Sequence, residues 1–176
     1  MKLDGRQVVD MPLAKAFERL NDPRVLKACT PGLERLDARD ADHFDAVLEV
    51  KLPAITGRFE GTLEYLERQP PDRVRLRVQG KGAVGFVDGE VTLELASADE
   101  GTNIHYVADV QIGGQVARLG QRMLSGVTRE MAGQFFAAFE RWRPEEPEQK
   151  VAAPPGRSAL QLVWRMLLRL LGLRRD

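Results

Sequence analysis

From residue 44 to residue 112 apolar and polar side chains alternate, and a chain patterned this way buries its apolar half only as a sheet with one dry face. Over 44–52, Ala46, Leu48, Val50 and Leu52 alternate with Val47, Glu49 and Lys51. Over 57–67, Phe59, Leu63 and Tyr65 oppose Arg58, Glu60, Thr62 and Glu64. The pattern continues with Val74, Leu76 and Val78 against Arg73, Arg75 and Arg77, then Val87, Val91, Leu93 and Leu95 against Asp88, Glu90, Thr92 and Glu94. Ile104, Tyr106, Ala108, Val110 and Ile112 complete it. Short separators at 69–72, 80–85 and 99–102, rich in Pro, Gly and Asp, read as hairpin turns and argue for an antiparallel meander, not βαβ crossovers.

A half-dry sheet needs a cover, and the sequence after it changes period. Over 113–142, Val116, Leu119, Met123, Val127, Met131 and Phe135 recur at steps of three and four, which predicts one long helix with this face inward. Arg118, Arg122, Arg129 and Glu140 fall on the opposite, solvated side. Such a helix is roughly 45 Å long. Gly120 interrupts its apolar face at a cost of about 1 kcal/mol relative to Ala; it marks either a close helix–sheet contact or space left for a ligand. Before the strands, residues 3–10 read as a first strand. A short helix follows around Leu13, Phe17 and Leu20, and Asp22 and Pro23 open a second that stops at Thr30, Pro31 and Gly32. The expected order is strand, two short helices, about six strands, then a long helix: an α+β fold. Small residues at or near inward positions, Ala46, Gly61, Ala83 and Ala108, are compatible with a cavity between sheet and helix.

Composition narrows the possibilities. With 176 residues, 43% of them hydrophobic, the chain makes one cored domain with room for an appendage. Its net charge is zero, so it lacks the basic signature of a nucleic-acid binder. The charge is unevenly spread: from Arg157 onward there are five Arg and one Asp, leaving 21 basic and 25 acidic residues before it. Cys29 is the one cysteine, which excludes an internal disulfide and suits a reducing compartment. No apolar signal run opens the chain. A cytoplasmic location is expected.

Three segments carry a resemblance. LNDPRVLKACTPG at 20–32, VKLPAITGRFEG at 50–61, and ARLGQR at 117–122 leading to QFF at 134–136 together resemble the carbon monoxide dehydrogenase CoxG family of the START-like (SRPBCC) superfamily, over roughly residues 1–142. The resemblance implies a helix-grip fold, in which a curved antiparallel sheet wraps around a long C-terminal helix and the interior takes a hydrophobic ligand. It also implies an accessory role to a molybdenum hydroxylase of the carbon-monoxide-dehydrogenase type, attaching that enzyme to the membrane and serving its exchange with the quinone pool.

Beyond the domain, residues 143–157 (RPEEPEQKVAAPPGR) hold four prolines and no apolar period, which predicts a semi-extended linker reaching about 45 Å. Residues 158–176 (SALQLVWRMLLRLLGLRRD) read as an amphipathic helix, with eleven of the fifteen residues 159–173 apolar. About 23 Å of helix is short of a hydrocarbon core of about 30 Å. Lying in the interface suits it better, with Leu160, Val163, Trp164, Leu167, Leu168 and Leu171 in the acyl boundary and Arg165, Arg169, Arg174 and Arg175 among anionic headgroups. This predicts a peripheral position on the cytoplasmic face of the inner membrane. The same helix would also serve to dock on a partner protein or on its own domain.

Catalytic chemistry is poorly supported. His43 and His105 stand alone in strand patterns, without metal-ligand spacing to Cys29; no catalytic residue and no metal site are expected. Gly80, Gly82 and Gly85 lack the strand–loop–helix setting of a phosphate loop and read as a turn. The run Arg73, Arg75 and Arg77 reads as a solvated strand face, an anion site or a docking stripe. The remaining reading is a non-enzymatic carrier or tether with no covalent cofactor, binding a lipophilic small molecule such as menaquinone or ubiquinone. Leu48, Phe59, Phe86, Leu119, Gly120, Met123, Val127, Met131 and Phe135 are the expected lining. Phe86 departs from strict alternation unless a bulge turns it inward. An assembly module without ligand, or a small enzyme on the same fold, are the alternatives.

Overall fold

A computed structural model describes residues 1–144. The rest of the Pro-rich linker and the amphipathic helix expected over 158–176 lie outside the described residues. Met1–Trp142 forms one compact unit.

Strand β1 (Lys2–Val9) is followed by two short helices, α1 (Leu13–Leu20) and α2 (Pro23–Cys29). Asp22 caps α2 as its position before Pro23 suggests: its side chain accepts a hydrogen bond from the Arg24 backbone N–H at 2.9 Å. Six strands come next: β2 (Leu33–Ala38), β3 (His43–Leu52), β4 (Ile55–Gln69), β5 (Arg73–Gly82), β6 (Gly85–Ala98) and β7 (Gly101–Gly114). A 3-10 helix (Val116–Leu119) and the helix α3 (Gly120–Arg141) complete the described chain. The strands form one antiparallel sheet in the order β1-β7-β6-β5-β4-β3-β2. It is a meander of hairpins with β1 added beside β7, curved but not closed, and the fold is the α+β helix-grip arrangement. The strand least visible in the sequence is β2, because a bulge between Leu33 and Arg35 breaks its alternation.

The long helix differs from its expected form. Residues 113 and 114 still belong to β7, paired with Phe86 and Gly85. Gly120 takes a φ of +75°, a backbone conformation that favours glycine and separates the 3-10 turn from α3. The glycine that reads as a gap in a continuous helix is its starting joint. With 22 residues, α3 is about 33 Å long. Its buried face is also turned by one position: Leu124, Phe136 and Phe139 are buried, whereas Met123 is 49% exposed.

Two apolar clusters hold the unit together. The larger joins Phe136 and Phe139 of α3 to Ala16 and Leu20 of α1, Val25, Leu26 and Cys29 of α2, and the sheet residues Val9, Phe44, Tyr65, Val74, Leu93, Leu95 and Ile104. The smaller joins Val50 and Phe59 to Val116 and Leu124, with Leu48, Leu52, Ile55, Val84, Ile112 and Leu119 around them. They occupy opposite ends of α3.

Between them the strands β4 and β5 come into backbone contact. A Cβ on Gly61 would stand 1.8 Å from the Gln79 carbonyl oxygen and 2.7 Å from the Gly80 Cα, so β4 and β5 approach more closely there than any side chain allows. A Cβ on the neighbouring Gly80 would meet only the Phe59 Cβ, at 3.8 Å, an ordinary contact. Gly61→Ala is therefore expected to destabilise the fold by about 1–3 kcal/mol, as overpacking does. Gly80→Ala should stay within about 1 kcal/mol, the strand cost of exchanging these residues. Urea denaturation of the two variants checks the difference; equal losses would disprove the close-approach account.

Candidate functional site

Residues paired directly across an antiparallel sheet share a face, which locates the floor of the concave side. Ala46 pairs with Gly61, Gly61 with Gly80, and Gly80 with Val87. This row of small side chains crosses four strands between the two apolar clusters, and Ala46, Val78 and Val87 belong to neither. Val127, Thr128 and Met131 of α3 occupy the corresponding stretch between the anchors Leu124 and Phe136, all three half-buried. Thr128 turns its hydroxyl onto the Leu124 carbonyl at 3.0 Å, so it adds no free donor. This bare row, together with the half-buried helix stretch between the two clusters, is termed the trough, and Met131 gives that stretch a flexible thioether.

The nine residues expected to line a cavity distribute over four places. Leu48, Phe59 and Leu119 join the smaller cluster at one end. Phe135 packs at the other, 5.2 Å and 5.7 Å between ring centroids from Phe136 and Phe139. Val127 and Met131 remain in the trough. Phe86, Gly120 and Met123 lie on the surface. Phe86 pairs with Gly113 and its ring lies 2.0 Å from where a Gly113 Cβ would be, so it covers that glycine from the convex side; β6 carries no bulge to turn it inward. Met123 faces outward because the helix is phased on Leu124. Gly80 reads as a turn residue in the sequence but sits inside β5 on the floor, and its signal is the cross-strand match to Gly61, invisible until the register is known.

Tyr65 and Arg19, inside the domain, spend their polar atoms on backbone carbonyls. The Tyr65 hydroxyl donates to the Leu20 carbonyl at 3.1 Å, and burial pushes its pKa up to about 12, far from acid–base work at neutral pH. Tyr106 lies over Gly5 and stacks on Phe136 at 6.2 Å. Arg19, buried, donates from Nη1 to the Phe139 carbonyl at 3.1 Å and faces the Trp142 ring at 5.5 Å. Cys29 is 3% exposed, and desolvation raises its thiol pKa, the opposite of an activated nucleophile.

Both histidines lie on the convex face. His43 contacts Asp40 at 2.8 Å and Glu64 at 3.3 Å, and His105 contacts Asp4 at 2.9 Å. The arginine run is tied into the sheet surface, Arg77 to Asp88 and Arg75 to Glu90, each at 3.1 Å. Among the described residues no group of His, Cys, Asp and Glu side chains is placed to hold a metal ion. No helix there is long and apolar enough to cross a membrane.

Residues 5–142 match the family model described as the carbon monoxide dehydrogenase G subunit (CoxG). No curated protein matches the chain. Among solved structures, a conserved protein from Geobacillus kaustophilus is 30% identical, with 80% of this chain and 93% of that one covered and a TM-score of 0.77. Proteins from Rhizobium leguminosarum (16% identity, 81% and 95% covered) and Chromobacterium violaceum (17%, 81% and 98%) each superpose with a TM-score of 0.60, a likeness of fold.

The Asp40 hydrogen bond raises the His43 pKa above its ordinary 6.5, and the Asp42 backbone N–H, with His43 second, lowers that of Asp40. The histidine's contribution to stability is thus complete below pH 6.5 and disappears as pH rises through the raised value; the Asp40 contribution is lost at acid pH. An NMR titration should place the His43 midpoint above that of an unperturbed imidazole, and Asp40→Asn should bring it down. An unchanged midpoint would remove the ion pair.

Proposed function

Because the chain belongs to the carbon monoxide dehydrogenase CoxG family, we propose that it is a non-enzymatic accessory to a molybdenum hydroxylase of the carbon-monoxide-dehydrogenase type. It carries a lipophilic ligand, a respiratory quinone, between that enzyme and the membrane. The observation that supports this best is the trough: Ala46, Gly61 and Gly80 leave its floor bare, and Val127 and Met131 are half-buried, movable apolar groups on α3 that belong to neither packed cluster. A quinone ring and its isoprenoid chain are retained by apolar enclosure with few polar anchors. The enzymatic alternative needs a reactive polar cluster there, whereas Tyr65 and Thr128 spend their hydroxyls on backbone carbonyls. Residues 158–176 would supply the peripheral attachment through their arginines and apolar face, on the cytoplasmic side of the inner membrane.

Native mass spectrometry of the full chain purified from membranes, with organic extraction, is expected to reveal a bound isoprenoid quinone. Gly80→Leu adds a side chain whose Cβ meets only the Phe59 Cβ, at 3.8 Å, and should lose the ligand while unfolding at nearly the same temperature. A wild-type protein free of lipophilic species, yet still retaining a hydroxylase in pull-down, would leave an assembly module and end the carrier reading.

A further inference from the structure

The trough has an end at the joint between the 3-10 helix and α3, and the surface there differs from the rest of the domain. Ala117, Arg118, Gly120, Gln121, Arg122 and Met123 are all exposed. Between Val110 and Arg129 the chain holds three arginines and no carboxylate. Among the described residues Arg118, Arg122 and Arg129 make no ion pair, as Lys2, Arg6 and Lys81 on the sheet make none, and it is the lack of any carboxylate along this stretch that sets it apart. Next to this corner lies an open groove of about 410 Å³, lined on one side by Met1, Val110, Ile112 and Leu124 and on the other by Gln111 and Gln121. Leu124 also belongs to the smaller apolar cluster, so the groove reaches the cluster that closes this end of the trough.

Uncompensated guanidinium groups on long stems, an exposed thioether and the aliphatic wall of a groove side by side match the layering of an anionic bilayer. The charges stay at headgroup level while the apolar parts enter the acyl boundary. We propose that this corner is the face by which the domain settles on an anionic membrane, with the groove as the path a lipophilic ligand takes between bilayer and trough. The ligand path rests on the carrier reading above; the membrane contact does not. An acidic protein partner would satisfy the arginines, but it gives no reason for the aliphatic groove wall and exposed Met123 beside them.

The test uses the full chain with Met123→Cys carrying a polarity-sensitive dye, Cys29 being buried, and Asp99→Cys in the β6–β7 turn at the far end of β7 as the control. On vesicles of equal parts phosphatidylcholine and phosphatidylglycerol the dye at position 123 should shift to the blue and the dye at 99 should not. Phosphatidylcholine alone should give no shift, and Arg118→Glu with Arg122→Glu should abolish it. Equal responses at both positions, or a shift surviving the charge reversal, overturns the proposal. So does a double variant that still meets vesicles but releases the purified hydroxylase. Ubiquinone uptake from the same vesicles is read separately. Dye contact without uptake defeats the carrier reading alone, and uptake unaffected by the charge reversal defeats the path.

Discussion

Phe139 has no exposed surface, and its burial is the contact on which the remaining architecture depends. It brings the end of α3 against α1, α2 and the inner face of the sheet at once, and Arg19 fastens the same turn through the Phe139 carbonyl. Burying two phenylalanines at one end of a helix stabilises by several kcal/mol, and that end is thereby fixed. The other end rests on Leu124 and Val116 alone among the buried residues of this segment. With strong packing at one pole and modest packing at the other, the middle of the helix is free to stand over a floor that fills none of the space itself.

Much of this was legible in the sequence because alternation over five strands and a change to helical period are signals that tertiary context seldom reverses. The α+β class, the helix-grip order, the Asp22 cap and the exposed histidines follow from local chemistry. The errors come from phase and from punctuation. A helical pattern containing Met123, Val127 and Met131 and another containing Leu124, Thr128 and Phe139 differ by one residue, and only contact with the sheet chooses between them. Gly113, Gly114 and Gly120 are neutral symbols in a periodicity count but end a strand and start a helix in three dimensions. The trough floor was hidden for a further reason: Gly61 and Gly80 become neighbours only through the register of β4 and β5.

The distribution of polar groups is as informative as the apolar core. On the convex face several long side chains find cross-strand partners, as with Arg77 and Asp88 and with Arg75 and Glu90. Inside, hydroxyl groups are turned onto backbone carbonyls.

The glycine contact between β4 and β5 separates two properties that most binding proteins specify together. At Gly61 the main chain of β4 meets that of Gln79 and Gly80, while the texture of the interior comes from Ala46, Val78, Val87, Val127 and Met131. A mould whose outline is drawn by the backbone keeps its shape when its lining is exchanged. Related chains are thus free to retune what they hold by small aliphatic substitutions, so long as the close crossings of β4 and β5 at Gly61 and Gly82 stay bare.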